Sequence, residues 1–361
     1  MAARTSSSSR FRGLALAFDD VLLEPQTSSV LPRTTNISIK LTRSITLDIP
    51  IVSAAMDTVT ESTMAITLGK LGGLGVIHRN NTIQKQAEGV RAVKDVDRSL
   101  HVAAAIGVGE EMMPRASALV DAGVDVLVVD TAHGHHMNVV HAVPKLKKAF
   151  PKTPLIVGNI ATKEGAQLLI KAGADALKVG IGCGSICTTR DVAGVGVPQF
   201  TAILECAEVA RKYHVPVIAD GGIVYPADIA KALAAGASAV MLGNMLAGTD
   251  EAPGDVFTSN NGQRYKTYRG MGSKEAQQKR GTDRYFSRHV PEGVSGKVPY
   301  KGPVATIIEH LVGALRTAMG YYGAATIADL WTVTYWQITG AGLKESHPHH
   351  IIMHNAPEFL R

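Results

Sequence analysis

The sequence is poor in cysteines, in aromatic residues and in long apolar runs. Its 361 residues include three cysteines, Cys183, Cys187 and Cys206, too few for a disulfide framework, which indicates a reducing compartment, the cytoplasm. Aromatic residues make up 5%, which disfavours an aromatic-rich β sandwich. No run of about 18 apolar residues is present, so no membrane span is expected.

Charge is moderate and spread along the chain. Hydrophobic residues make up 45% and charged residues 19%, so the chain can bury a sizeable core and is not globally disordered. A net charge of +6 suits an anionic small molecule. Because no basic stripe accompanies it, nucleic-acid binding is not expected. Residues 1–15, rich in Ser and Arg at the start, are expected to be a disordered tail rather than a transit peptide.

Short apolar segments alternate with amphipathic segments along most of the chain. The apolar segments predict eight strands: Ile49–Ser53, Leu74–His78, Val102–Ile106, Val124–Asp130, Pro154–Gly158, Ala176–Gly180, Val215–Asp220 and Ala239–Leu242. The amphipathic segments predict helices over Glu61–Leu71, Ile83–Val93, Met112–Ala122, Val139–Ala149, Lys163–Ala172, Phe200–Tyr213 and Ala227–Ala235. Such alternation predicts a parallel α/β fold, a (β/α)8 TIM barrel, with an open doubly wound sheet as the main alternative.

Three helix ends share a phrase, in DAGVDVLVVD, KAGADALKVG and AAGASAVMLG. In each, an Ala-Gly pair is expected to end the helix and lead into a buried strand. Polar and Gly-rich phrases then follow the strands, including SAAMDTVTE, DTAHGH, GNIAT and ADGGI. In a barrel these phrases meet at the carboxyl ends of the strands, where active sites are built.

The segment Gly180–Arg190 is the most informative of these phrases. Its alternating glycines allow the backbone to approach a ligand or an ion closely. Ser185 could donate to a phosphate, and Cys187 is a candidate nucleophile whose thiolate Arg190 would favour. The alternative is a structural turn with an inert cysteine.

Other strand ends offer further candidates. The turns after Asp220 and Leu242 contain glycines where such barrels bind phosphate, and Asp220 could accept hydrogen bonds from a ribose. Asp130 could bind the ribose of a second nucleotide. The neighbouring histidines, and a second His cluster in KESHPHH, could instead bind a metal, although solvated side chains are the simpler interpretation.

After the eighth strand the apolar pattern stops. Residues 249–302 hold few apolar runs and are expected to form a long mobile lid over the site. A helix over Ala305–Met319 then closes the barrel, and residues 320–361 form a C-terminal tail. We therefore expect a single catalytic unit over residues 16–361.

Ten phrases in this order resemble the inosine 5′-monophosphate (IMP) dehydrogenase family, from about Leu16 to the C-terminus. They are FDDVLLEPQ, SAAMDTVTE, GGLGVIHRN, DTAHGH, GIGCGSICTTRDVAGVGVPQ, ADGGI, YRGMGS, DRYF, VPEGVSGKVPYKG and LKESHPH. The resemblance implies oxidation of IMP to xanthosine monophosphate (XMP) with NAD, the committed step of guanine nucleotide synthesis. It implies that Cys187 forms a covalent thioimidate, which is hydrolysed after lid closure with Arg284, Tyr285 and Thr189 activating water.

The resemblance also assigns binding residues. The IMP side would be Met56, Ser185, Asp220, Gly222, Gly243, Asn244, Tyr268, Gly270, Met271, Gly272 and Glu292. The NAD side would be Asp130, Thr131, Asn159, Gly180 and Gly182. A monovalent cation, K⁺, would be bound by Gly182, Gly184 and Cys187 together with Glu345, Ser346 and His347 of a neighbouring subunit, which implies a homotetramer.

The sequence departs from the family pattern at two places. The pair of cystathionine-β-synthase-type regulatory modules usual in the family is absent, and residues 92–101 join the second helix to the third strand directly. Cys183 stands where the family often has Pro, which would stiffen the cation loop. We therefore expect altered cation dependence or oxidant sensitivity.

Two other functions stay open on the sequence. GMP reductase shares the barrel, the cysteine and the phosphate loops, but reductases lack the Arg–Tyr phrase and carry a lid glutamate where this chain has Lys274. A non-catalytic nucleotide- or nucleic-acid-binding protein of the same fold would be expected to lose Cys187 or the lid pair, and both are present.

Overall fold

Eight parallel strands close into a barrel in this computed structural model, which describes residues 10–279, 290–352 and 354. The strands are β1 (Ile51–Ser53), β2 (Leu74–Ile77), β3 (Val102–Ile106), β4 (Val126–Asp130), β5 (Leu155–Ile160), β6 (Ala176–Val179), β7 (Val217–Asp220) and β8 (Ala239–Leu242). The barrel helices are α1 (Ser62–Lys70), α2 (Ile83–Val96), α3 (Met112–Asp121), α4 (Met137–Ala149), α5 (Lys163–Ala172), α6 (Gln199–Lys212), α7 (Pro226–Ala234) and α8 (Val304–Tyr322).

This architecture confirms the predicted TIM barrel and excludes the open sheet, because β8 pairs with β1. Each predicted strand and helix is present, with shifts at the ends. Strand β7 begins at Val217 rather than Val215 because Pro216 cannot donate to the ladder. Strand β5 continues to Ile160 through a register irregularity at Gly158. Helix α2 leads to β3 through five residues, 97–101.

The core consists of aliphatic side chains between the strands and the surrounding helices. Strand β3, with three consecutive alanines, is buried over its whole length, which small side chains allow inside a closed barrel. The predicted Ala-Gly helix ends are confirmed. Gly123, Gly173 and Gly236 all adopt positive φ, between 91° and 109°, a backbone conformation that residues with a Cβ rarely take.

Segments outside the barrel cover its two ends. A hairpin of Ile39–Lys40 and Thr46–Leu47 lies near the amino ends of β6 to β8. The strand Val21–Leu23 pairs antiparallel with Tyr335–Gln337, which joins the beginning of the described chain to the C-terminal segment. That segment also contains a 3₁₀ helix, Ile327–Thr332, and a short helix, Gly340–Glu345.

The region expected to be a lid is more ordered than its composition predicts. Phe257–Thr258, Arg264–Arg269 and Ser295–Pro299 form an antiparallel sheet, and the helix Lys274–Lys279 comes after Arg264–Arg269 in the chain. Along Arg264–Arg269 buried Lys266 and Tyr268 alternate with more exposed residues, the period of a half-buried strand. Polar residues at the buried positions concealed this strand in the sequence. We call these three strands the lid sheet.

Within the described residues no helix combines the length and the apolarity that a membrane crossing needs.

The packing of α1 on β2 depends on Gly75. A Cβ at this position would lie 2.5 Å from the Ala65 Cα atom in α1, so that helix and strand must separate to admit it. We expect Gly75→Ala to lower the free energy of unfolding by about 1–3 kcal/mol, measured as a shift in the denaturant midpoint.

Gly89 provides the matched control in α2. A Cβ there meets only the Ile77 side chain, at 3.5 Å, and alanine favours a helix over glycine by about 1 kcal/mol. Gly89→Ala should therefore raise the midpoint. Equal effects of the two substitutions would contradict this account of the packing.

Candidate active site

A cavity of about 360 Å³ opens at the carboxyl ends of the strands, within the size range of small-molecule pockets. Every residue that the sequence assigned to the IMP side lines it: Met56, Ser185, Asp220, Gly222, Gly243, Asn244, Tyr268, Gly270, Met271, Gly272 and Glu292. Ala17, Phe18 and Asp19 also line it, so the segment before the barrel forms part of the wall. The composition of that segment gave no signal for this role.

The loop after β6 carries the cysteine into this cavity. A Cβ at Gly180 would lie 2.0 Å from the Asp220 carbonyl oxygen, so only glycine allows the two strand ends to approach this closely. The Cys187 amide donates to the Gly184 carbonyl at 3.0 Å. Cys187 also bridges to Gly293 of the lid region, which fixes the loop from its other side.

Cys187 begins a chain of polar groups. Its Sγ lies 3.2 Å from the Thr189 hydroxyl, and that hydroxyl donates to Glu292 Oε2 at 3.0 Å. If the thiol donates to Thr189, both hydrogen bonds run in the same direction, from the sulfur atom toward the carboxylate. Arg190 is directed elsewhere, because its guanidinium donates to the Val197 carbonyl at 2.8 Å. The polar groups next to the Cys187 thiol are therefore Thr189 and, through it, Glu292, rather than Arg190.

Ser185 and Tyr268 converge at the end of the cavity assigned to the phosphate. The Ser185 side chain hydrogen-bonds the Tyr268 phenol, and burial raises the pKa of that phenol to about 12. Tyr268 therefore stays a neutral donor at physiological pH. A Cβ at Gly243 would lie 2.9 Å from the Tyr268 hydroxyl oxygen, so the backbone of the β8 turn closely approaches this donor.

A buried lysine that the sequence analysis missed organises the floor of the site. The Lys178 ammonium donates to Asp130 Oδ1 at 3.1 Å, to Asp220 Oδ2 at 2.6 Å and to the Asn159 amide oxygen. The Asn159 amide nitrogen donates in turn to Asp220 Oδ2 at 2.9 Å and to the Gly180 carbonyl at 2.7 Å. Asp220 is thus held by two donors, with its other oxygen left for a ligand.

The predicted NAD side is brought together in part. Thr131, Asn159, Gly180 and Gly182 line the cavity. Asp130 does not; its carboxylate is buried and paired with Lys178. An aspartate at a strand end can point to a cation inside the barrel as readily as to a ligand, and the strand pattern alone does not distinguish these directions.

Cys183 differs from Cys187 although both lie in the same loop. Its thiol donates to the Asp220 carbonyl at 3.2 Å. Burial, followed by the nearby Asp220 charge, raises the pKa of Cys183 to about 12. Because the thiolate is the form that oxidants attack, this environment opposes the oxidant sensitivity expected from the sequence. The expected change in cation dependence stays a prediction.

The remaining candidates lie apart or outside the described residues. Gly182 and Gly184 line the cavity beside Cys187. Glu345, Ser346 and His347 of the same chain do not line it, and the His347 ring instead contacts Tyr225 at 5.0 Å. The catalytic candidates Arg284 and Tyr285 lie outside the described residues. In the described part of the chain no group of three His, Cys, Asp or Glu side chains could hold a metal ion.

The lid sheet is attached to the barrel by an ion pair. Arg269 Nε donates to Asp57 Oδ1 at 3.0 Å, a second bond joins the same groups, and Asn80 donates to Asp57 Oδ2 at 2.9 Å. Burial alone would raise the pKa of Asp57, but the hydrogen bonds from Arg269 and Asn80 outweigh it and hold that pKa below its usual range. The ion pair connects the loop after β1 to the strand that carries Tyr268.

A barrel with a candidate nucleophilic cysteine after β6 and small, Gly-rich turns after β7 and β8 defines a class of enzyme that acts on phosphorylated small molecules. Comparison with known families identifies which one. The model described as "IMP dehydrogenase / GMP reductase domain" matches residues 15–349. The chain belongs to this family.

Individual relatives agree over nearly the whole chain. Inosine-5'-monophosphate dehydrogenase of Cryptosporidium parvum is 45% identical, over 94% of this chain and 96% of that protein. The protein of the same name from Aquifex aeolicus is 43% identical, over 95% of this chain and 97% of that protein. The one from Bacillus subtilis is 39% identical, also over 95% of this chain and 97% of that protein. The Aquifex alignment extends over 477 positions and the Cryptosporidium alignment over 387. The Aquifex protein therefore contains sequence that this chain lacks.

The Arg269–Asp57 pair predicts a pH-dependent attachment of the lid sheet. Removing the cation leaves a buried carboxylate, so Arg269→Met should lower the free energy of unfolding by about 3 kcal/mol at neutral pH. The pKa of Asp57 is lowered in the folded state. Its carboxylate therefore contributes to the free energy of unfolding at pH values above its ordinary pKa of 3.8, and this contribution is lost as the pH falls below that value. The difference between wild type and variant should shrink over that acid range.

Arg264→Met is the control for this prediction. Arg264 lies in the same strand but is exposed over the Tyr300 ring, 4.2 Å from its centroid. Its removal should cost less than about 1 kcal/mol. Denaturant titrations at several pH values would measure both variants, and a pH-independent loss in Arg269→Met would contradict the ion-pair account.

Proposed function

We propose that the chain is an IMP dehydrogenase, which oxidises IMP to XMP with NAD and water. The observation that carries the proposal is the chain of contacts from Cys187 through Thr189 to Glu292, inside a cavity lined by all eleven residues expected on the IMP side. The family and its curated relatives support the same activity.

In this proposal the phosphate binds between the turns after β6, β7 and β8. The hydroxyl groups of Ser185 and Tyr268 donate hydrogen bonds to the phosphate. The backbones of Gly222, Gly243 and Asn244 complete its binding site. The free oxygen of Asp220 accepts from the ribose. These contacts direct the purine toward Cys187, among Met56, Gly270, Met271, Gly272 and Glu292.

Chemistry begins when the Cys187 sulfur adds to C2 of the purine, which breaks the π bond between C2 and N3 and moves its electron pair to N3. The thiol proton leaves through Thr189 to Glu292, along the hydrogen bonds described above. Thr131, Asn159, Gly180 and Gly182 would hold NAD, which would accept the hydride that leaves C2 as the C2–N3 double bond forms again. Water then attacks C2 of the thioimidate, the carbon–sulfur bond breaks, and the sulfur recovers a proton. We assign activation of that water to Arg284 with Tyr285 and Thr189.

The glycine loop also suits a monovalent cation. Gly182, at φ 77°, Gly184 and Cys187 would present carbonyl oxygens, ligands that alkali cations accept. We propose that K⁺ binds there and that Glu345, Ser346 and His347 of a neighbouring subunit complete the site in a homotetramer. Cytoplasmic location, absence of nucleic-acid binding and a single catalytic unit over residues 16–361 belong to the same proposal.

The first test is absorbance at 340 nm with IMP, NAD and K⁺. Wild type should form NADH only when IMP is present, and Cys187→Ala should lower the rate at least about a thousandfold, because the covalent step is lost. Cys206→Ala is the control. Cys206 is buried in α6, away from the cavity lining, so its loss should leave the rate within about twofold.

The outcomes separate the alternative functions. NADPH consumption with GMP, and no NADH from IMP, would make the chain a GMP reductase despite Lys274. Activity in neither direction would favour a nucleotide-binding protein without catalysis. An unchanged rate in Cys187→Ala would refute the assigned nucleophile.

Lys178 is expected to be a positioning residue for Asp220. Lys178→Met leaves Asp220 held by Asn159 alone, so its carboxylate is less well placed for the ribose. The KM for IMP should rise by about tenfold or more, with a smaller change in kcat. Steady-state kinetics at saturating NAD would measure both parameters.

Lys266→Met controls for the loss of a buried lysine as such. Lys266 is also buried and donates to three carbonyls, those of Thr249, Asp250 and Ala252, but it does not line the cavity. This variant should be destabilised with its KM for IMP unchanged. A parallel rise in KM in both variants would indicate a general structural effect and contradict the role of Lys178.

A further inference from the structure

A second cavity, of about 780 Å³, lies at the opposite end of the barrel from Cys187. Ala174, Asp175, Val215, Pro216 and Ser238, which immediately precede β6, β7 and β8, form its floor. The hairpin, the end of α6 and the 3₁₀ helix Ile327–Thr332 form its walls. Its volume is within the range of cavities that hold nucleotide-sized ligands, and the proposed dehydrogenase reaction makes no use of it.

The charged groups around this cavity are mostly cationic. Lys40 and Arg43 come from the hairpin, and Arg211 comes from the end of α6. The acid that faces them, Asp175, already accepts from Lys147 at 2.7 Å and from the Leu155 amide at 2.8 Å. Among the described residues none of the three Lys and Arg side chains has a carboxylate within ion-pair distance. The three cations thus line one cavity with Asp175, whose carboxylate is already paired with Lys147.

The positions of the three cations in the sequence argue against a purely local reason for their presence at one cavity. Arg211 lies in the last turn of α6, where a helix favours positive charge. Lys40 and Arg43 do not lie at a helix end. They lie on the hairpin, more than 160 residues away from Arg211 in the sequence. Along that hairpin Ile39, Leu41, Ile45 and Leu47 are buried, while Lys40 and Arg43 stay exposed at the cavity.

An aromatic surface adjoins the cations. The Trp331 indole nitrogen donates to the Ala237 carbonyl at 3.2 Å, which fixes the ring. The Arg211 guanidinium lies 5.3 Å from the centre of that ring. A planar guanidinium beside an indole offers faces on which a heteroaromatic base can stack.

We infer that this basal cavity binds a nucleoside polyphosphate. Lys40, Arg43 and Arg211 would contact the phosphates, because unpaired guanidinium and ammonium groups bind phosphate through charge-assisted hydrogen bonds. Trp331 would hold the base. The barrel core separates this cavity from the one that contains Cys187, so the two sites would be occupied independently.

The test is calorimetric titration of the full chain with ATP, inorganic tripolyphosphate and adenosine at low ionic strength. Arg43→Glu/Arg211→Glu should weaken ATP and tripolyphosphate binding by about a hundredfold. The matched control is Arg91→Glu/Lys145→Glu, which makes the same change in net charge at exposed positions of α2 and α4. It should bind ATP within about twofold of wild type.

Trp331→Leu tests the contact with the base separately from the contacts with the phosphates. ATP binding should weaken toward that of tripolyphosphate, while tripolyphosphate binding is unchanged. Circular dichroism and thermal midpoints would show that each variant is folded. Equal losses in the two charge-reversal variants, retained ATP binding in Arg43→Glu/Arg211→Glu, or no ATP binding to wild type at about 1 mM would overturn the inference.

Discussion

The ammonium group of Lys178 is surrounded by oxygen atoms at the centre of the barrel, and the carboxyl end of the sheet is arranged around it. Two carboxylates, Asp130 and Asp220, and the Asn159 amide accept its protons. A buried charge is stable only when it is paired and hydrogen-bonded. The backbone makes room for it at Gly158, where a Cβ would lie 2.6 Å from the Lys178 Cβ. The register irregularity at the same position re-aims the end of β5, so that Asn159 reaches Asp220.

Residues next to the lid sheet contact the loop after β6 that contains Cys187. The Val294 amide donates to the Ile186 carbonyl at 3.0 Å, and the Glu292 amide donates to the Gly272 carbonyl at 3.1 Å. Glu292 also accepts from Thr189. Residues 290–294, which precede the strand Ser295–Pro299, therefore contact the backbone beside Cys187 and include the carboxylate that accepts from Thr189. A displacement of these residues would change the environment of Cys187 directly.

The sequence predicted the barrel because its strands are almost purely aliphatic and its helix ends repeat. It predicted most of the cavity lining because those residues follow strand ends, or match phrases of a known family. It missed Lys178 because a single lysine within the apolar phrase ALKVG does not reveal which acids it meets across the barrel. For the same reason the sequence does not reveal that Asp130 pairs with this lysine. The lid sheet was missed because Lys266 is buried with backbone carbonyls as its partners.

The two cysteines of the glycine loop show how position, rather than residue type, decides reactivity here. Cys183 donates to a main-chain carbonyl at the strand end, and burial beside the Asp220 charge raises its pKa to about 12. Four residues later, Cys187 faces a hydroxyl that is itself bonded to a carboxylate. A thiol bonded to a carbonyl has no route for its proton, whereas one bonded to a hydroxyl and a carboxylate has a route that ends on a base. The same loop therefore holds a thiol of raised pKa next to Asp220 and, four residues later, the thiol that we propose as the nucleophile, without requiring Arg190 to distinguish them.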